Sequence, residues 1–138
     1  MYIAVIDDGI NEKLYNAGVL QFNIEIFPDL TIAERENYNT FLPSHGTKCA
    51  AIIKKYSADA LIGSIKILND NTKRGLEKQL VRALQWCVDN GIRLVNLSLG
   101  TIDFRDFSEV KSCIDHATSQ GLIIIAACNN KNVSSNIQ

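Results

Sequence analysis

Two side chains in this sequence, an acid and an imidazole, are of types that can accept and release protons. Asp7 ends the apolar run Tyr2-Ile-Ala-Val-Ile-Asp7, and His45 opens the segment Ser44-His45-Gly-Thr-Lys-Cys-Ala50. Gly46 and Thr47 are poor helix formers, and a glycine after the histidine permits close approach at the helix start. An imidazole presented in this way suits a general base. Two more apolar runs end in polar groups, Val95-Asn-Leu-Ser98-Leu-Gly100 and Gly121-Leu-Ile-Ile-Ile-Ala-Ala-Cys-Asn-Asn130. The second histidine, His116, falls within a helical pattern beside Asp115 and reads as solvent-facing and structural.

The elements that must position these groups are legible from hydrophobic period. Residues 2–6, 23–27, 61–68, 93–98 and 122–127 read as strands, the last without alternation and so wanting burial on both faces. Leu76, Leu80, Leu84, Cys87 and Val88 recur at helical spacing and stop at Gly91; Phe107, Val110, Ile114 and Ala117 repeat the pattern before Gly121. Ser44 is the expected N-cap of a helix running to about Lys55. Segments 28–42 and 69–73 read as loops. Strands alternating with helices predict a parallel sheet covered on its faces, and residues 1–138 are expected to form one domain. In such sheets ligands bind beyond the carboxyl ends of the strands. Asp7, Ser98-Leu99-Gly100 and Asn129-Asn130 all follow strand ends, so with His45 they could meet in one cleft.

Composition narrows the classes. The chain has 138 residues, 46% of them hydrophobic, and a net charge of −1 from 14 basic and 15 acidic residues that are well mixed. That predicts a globular domain with no nucleic-acid or membrane-surface partner. No apolar run approaches the ~20 residues that span a bilayer. The amino terminus reads as a strand from residue 2, not as a secretory signal. Cys49, Cys87, Cys113 and Cys128 lie in apolar helices or strands and lack Cys-x-x-Cys spacing. They read as reduced core thiols of a cytoplasmic protein, with no zinc site.

The paired acids Asp7 and Asp8 admit a rival chemistry, the magnesium pocket of a receiver-like signalling domain, with Asp70, Ser98 and Lys131 in its other roles. That reading leaves the His-Gly-Thr helix start unexplained. The four quoted segments together resemble the subtilisin-like serine peptidases (the subtilase family) from residue 2 to about residue 131. Ile65-Lys-Ile-Leu68 and Trp86-Cys-Val-Asp-Asn-Gly91 match the same family. The resemblance implies an α/β fold, three-layer α/β/α with a mainly parallel sheet, of which this chain is the amino-terminal part.

By that resemblance Asp7, not Asp8, is the triad acid that orients the imidazole of His45, and His45 is the general base. Asn130 matches the asparagine whose amide donates to the oxyanion. Ser98-Leu99-Gly100 matches the segment that pairs with extended substrate backbone and walls the primary specificity pocket. The reaction implied is peptide-bond hydrolysis through an acyl-enzyme, on a peptide or protein substrate. The alternative is an inactive pseudopeptidase that keeps the cleft for binding peptides.

There are departures. Lys48 and Ala51 stand where the family usually has His and Gly, and Asn129 replaces a glycine. The stretch from His45 to Ile65 is too short for the family's common calcium loop, so no metal or other cofactor is expected. No Gly-Thr-Ser-type nucleophile segment occurs before Gln138; Ser134 and Ser135 come too soon after Asn130. Cys49, one helical turn after His45, reads first as a small buried hydrophobe. With three helices for five strands, an uncovered edge is expected to draw in a second copy of the chain or the family's carboxyl-terminal half.

Overall fold

The computed structural model describes residues 2–11, 20–36, 38, 40–41, 44–98, 100, 102–105 and 107–127. Among the described residues eight strands and three helices follow in chain order: β1 (Tyr2–Asp7), β2 (Asn23–Ile26), β3 (Ile32–Glu34), α1 (His45–Tyr56), β4 (Leu61–Lys66), β5 (Gly75–Leu76), α2 (Glu77–Asp89), β6 (Leu94–Ser98), β7 (Ile102–Asp103), α3 (Phe107–Ser119) and β8 (Ile123–Ala127). Six of the strands form one sheet in the order β3-β2-β4-β1-β6-β8, parallel except for the β2–β3 pair. β5 and β7 make a separate two-stranded parallel pair.

β1 is central, flanked by β4 and β6. Its continuous apolar run follows from burial on both faces. Ala4 and Ile6 face the cluster containing Leu80, Leu84, Cys87, Val110 and Ala117 of α2 and α3. Ile3 and Val5 face the smaller cluster that holds Ala50 of α1 and Ile62 of β4. The result is three layers, with two helices on one face and one on the other. Burying Leu80 and Leu84 completely contributes roughly 2–3 kcal/mol each before entropy is counted. Gly91 and Gly121 follow α2 and α3 with φ of +70° and +94°, the left-handed closure the sequence calls for.

Two expectations are corrected. The segment 28–42 is not wholly loop, because Ile32–Glu34 pairs antiparallel with β2. A tight turn makes this hairpin: Leu30 N donates to Phe27 O at 2.7 Å and Phe27 N to Thr31 O at 3.0 Å. As an outer strand of three residues it carries too little apolar pattern to be recognised. β4 also ends at Lys66 rather than residue 68, and the ammonium of Lys66 turns back onto the Leu68 carbonyl. The strand order excludes the receiver-like reading. Flavodoxin-like receivers set the first strand between the second and third, whereas here β1 lies between β4 and β6.

Candidate active site

The site is built where the turn after β1 meets the first turn of α1. Alternation in β1 puts Asp7 on the same face as Ile3 and Val5, beneath α1. Ser98 lies on that face too, two residues on from Asn96 at the carboxyl end of β6, which runs parallel to β1. Both groups therefore emerge at one sheet edge, and α1 brings His45 over them.

Hydrogen bonds stitch the helix start to the turn. Ser44 has the extended backbone of an N-cap (φ −100°, ψ 157°), and its Oγ accepts from Thr47 N at 3.0 Å while donating to Gly9 O at 2.7 Å. Asn11 N donates to Thr47 Oγ1 at 2.6 Å, and Ile10 N to Ser64 Oγ at 3.1 Å. Gly46 is required by contact: a Cβ there would lie 2.6 Å from Gly9 O. The two poor helix formers after His45 thus dock the helix rather than extend it. Arg35, unmarked in the sequence, braces the outer side of the turn. It donates to Ile10 O at 3.0 Å and lies 4.1 Å over the Tyr38 ring.

The two neighbouring acids separate cleanly. Asp7 Oδ2 lies 2.5 Å from His45 Nδ1, and Ser98 Oγ donates to that same oxygen at 3.2 Å. Asp8 turns the other way: Oδ2 accepts from His45 N at 3.2 Å and Oδ1 from Gly46 N at 2.8 Å. Asp8 is a second cap for α1, a role the sequence reading did not assign, although an acid beside a helix start is the available signal.

Burial pushes the Asp7 carboxyl above its ordinary range, and the Asp8 charge adds to this, while the His45 hydrogen bond pulls the other way. Asp7 is nearly inaccessible, whereas the His45 side chain is 58% exposed. A buried carboxylate thus holds one ring nitrogen and leaves the imidazole facing the cleft. With the proton on Nδ1, Nε2 keeps its lone pair to accept a proton from an incoming group.

Cys49 Sγ lies 3.8 Å from His45 Nδ1, one turn along α1, and is partly exposed rather than fully buried. Burial and then the Asp7 charge push its thiol up, opposed by a hydrogen bond with Asn96. Among the described residues Asp7, His45 and Cys49 are a group whose ligand atoms lie within 4.8 Å of one another. The 2.5 Å Asp7–His45 separation leaves no room for an ion between them, since two ligands at about 2 Å from a zinc stand farther apart than that.

The structure therefore brings Asp7, His45 and Ser98 together, with Gly100 at the end of the same segment. Leu99 and Asn130 lie outside the described residues, as do Cys128, Lys131, Ser134 and Ser135. His116 is exposed in the last turn of α3, and Asp70 pairs with Lys66 at 2.8 Å.

A mainly parallel three-layer α/β fold with a carboxylate–imidazole pair beyond its strand ends defines the class of domain. Comparison with known proteins makes it particular: the chain belongs to the subtilase family, which matches residues 1–138. Subtilisin DY of Bacillus licheniformis is 24% identical over 141 residues, covering 96% of this chain and 48% of that protein. Subtilisin BL of Lederbergia lenta is 27% identical, with 92% and 52% covered. The chain thus spans about half the length of these relatives.

Solved structures agree on the fold. A lanthipeptide protease superposes with a TM-score of 0.69 at 18% identity, covering 91% of this chain and 38% of that one. The nisin leader peptidase NisP of Lactococcus lactis gives 0.64 at 22%, with 94% and 44% covered. Among the described residues no helix is long and apolar enough to cross a membrane.

Proposed function

We propose that this chain carries the acid and the general base of a subtilisin-like serine endopeptidase. Asp7 orients and charges-balances His45, and His45 takes the proton of a serine hydroxyl as that oxygen attacks the peptide carbonyl. It then returns the proton to the leaving amine. Asn130 is assigned to the oxyanion, where a donor is worth roughly 3–4 kcal/mol of barrier. Ser98-Leu99-Gly100 is assigned to the backbone of a peptide or protein substrate. The observation that carries this reading is the 2.5 Å contact of Asp7 Oδ2 with His45 Nδ1, reinforced by Ser98 on the same oxygen.

The nucleophile is assigned to a serine outside residues 1–138. Ile123 and Ile125, 58% and 54% exposed on the face that α1 covers elsewhere, support docking of further structure along β8. The occupant is either a second copy of the chain or a carboxyl-terminal half of the kind the longer relatives have. Free thiols at Cys49, Cys87 and Cys113 support a cytoplasmic location.

The test is hydrolysis of fluorogenic casein together with labelling by a fluorophosphonate. The 138-residue chain is expected to do neither. A protein that joins it to a nucleophile serine is expected to lose roughly 10⁶-fold in kcat on His45→Ala, with about 10³–10⁴-fold over water remaining. Turnover by the 138-residue chain itself, abolished by His45→Ala, would overturn the assignment of the serine. Full activity of the longer protein with His45→Ala would overturn the role of His45.

A further inference from the structure

The loop between β4 and α2 does not stand apart from the segment after β6. Arg74 reaches across and joins them. Its Nη1 donates to Gly100 O at 3.2 Å, its Nη2 to Ile102 O at 3.3 Å, and its Nε to Asp103 Oδ1 at 2.9 Å; Nη2 also contacts Asp103 Oδ1. Behind it, the backbone of β5 pairs with β7, Gly75 opposite Ile102. The loop that presents Arg74 is itself tied: Asn69 N donates to Arg74 O at 2.9 Å, and Asn69 Oδ1 accepts from Asn71 N and Thr72 N. Beside the clasp lies a cleft of about 400 Å³, with Phe27, Ile67, Leu68 and Leu76 on its apolar walls and Arg74 and Asp103 at its edge.

An extended peptide gains affinity from a neighbouring strand through that strand's carbonyls and amides. Here the Gly100 carbonyl already receives a guanidinium donor, which reaches it from the loop between β4 and α2. We infer that Arg74 is a specificity-determining latch across the peptide groove, one that a peptide extending past Gly100 must displace. This rests on the reading of Ser98-Leu99-Gly100 as the substrate-pairing segment.

Two features make the latch displaceable rather than structural. The Arg74 and Asp103 side chains are 45% and 48% exposed, and ion pairs of that exposure contribute little to stability. A peptide N–H can replace the guanidinium at Gly100 O, so the carbonyl stays satisfied when the latch opens. Short peptides that lie only against Ser98 avoid this exchange. Longer ones incur it, and the groove discriminates by peptide length.

The experiment is an amide NMR titration of the ¹⁵N-labelled chain with acetylated, amidated alanine-rich peptides of two and six residues. In the native sequence both lengths are expected to shift the Ser98 amide with similar, weak affinity. Arg74→Ala should strengthen binding of the six-residue peptide roughly five- to tenfold, the equivalent of one released hydrogen bond, and leave the two-residue peptide unchanged. Asp103→Asn, which weakens the pair without removing the guanidinium, should move the six-residue peptide in the same direction by less.

Equal affinity of native and both variant chains for the six-residue peptide, or weaker binding by Arg74→Ala with Asp103→Asn unchanged, overturns the latch while leaving the groove in place. Absence of any shift at Ser98 with either peptide in all three chains overturns the groove reading, and the latch with it.

Discussion

The carboxylate of Asp8 accepts the backbone amides of His45 and Gly46 at 3.2 and 2.8 Å, while its neighbour Asp7 holds the His45 ring. Two consecutive acids thus fix one residue by backbone and by side chain. Asp8→Ala leaves two helix-start amides beside a buried turn without this acceptor. It should lower stability by about 1–2 kcal/mol, with Asp8→Asn intermediate because one oxygen acceptor remains. Urea midpoints of the three chains check this, and an unchanged midpoint for Asp8→Ala would count against the cap.

Gly46→Ala sets two effects in opposition. Helix propensity alone favours alanine by about 1 kcal/mol. The added Cβ, however, would lie 2.6 Å from Gly9 O and 3.1 Å from Gly9 C, both backbone atoms of a buried turn. Contact should win, giving a net loss of roughly 1–3 kcal/mol and a shift of the His45 ring resonances. Stabilisation in a denaturant titration would show that the helix start can move.

The titration of Asp7 carries a sign. Burial first, then the Asp8 charge, raises its carboxyl above the ordinary 3.8 in the folded chain. The native state therefore holds this proton more tightly than the unfolded one. Its contribution favours the fold below the ordinary value and is lost as pH rises through the raised value. Asp7→Asn removes that titration, so its stability relative to the native chain should improve from about pH 3 to about pH 7. Denaturation midpoints across that range check it; a relative stability that falls with pH would reverse the assignment.

The thiols should separate by burial. Cys87 is fully buried and pushed up to about 12, so iodoacetamide should reach it only on unfolding. Cys49 and Cys113 are partly exposed with thiols raised mainly by burial, and should label slowly in the folded chain. Peptide mass spectrometry of samples alkylated with and without urea distinguishes the three.

The β8 face should associate. Ile123 and Ile125 expose 58% and 54% of their surface on one side of an outer strand. Sedimentation velocity of the 138-residue chain should show self-association that the double substitution Ile123→Lys, Ile125→Lys reduces, together with less binding of an apolar dye. A monomer at high concentration that binds no dye would mean that this face closes without a partner.

Much of this molecule is local in origin. The apolar run before Asp7, the N-cap at Ser44, the 3.6-residue periods of α2 and α3 and the glycines that end them each act over a few residues, so each is readable from order alone. The glycine and threonine after His45 were legible as an anomaly, and the resemblance of four short segments supplied the pairing of Asp7 with His45. What order could not provide is contact between segments whose own patterns say nothing. β3 exists only because Ile32–Glu34 finds the edge of β2. Asp8 became a cap because the turn at Gly9 rotates its carboxylate away from the ring and toward α1. Ser98 joined Asp7, 91 residues away in the chain, because β6 lies beside β1; strand ends placed both at one edge, but not this contact. Arg74 met Gly100 for the same reason: hydrophobic period fixes which face a residue takes, and only packing decides which distant polar group it will meet there.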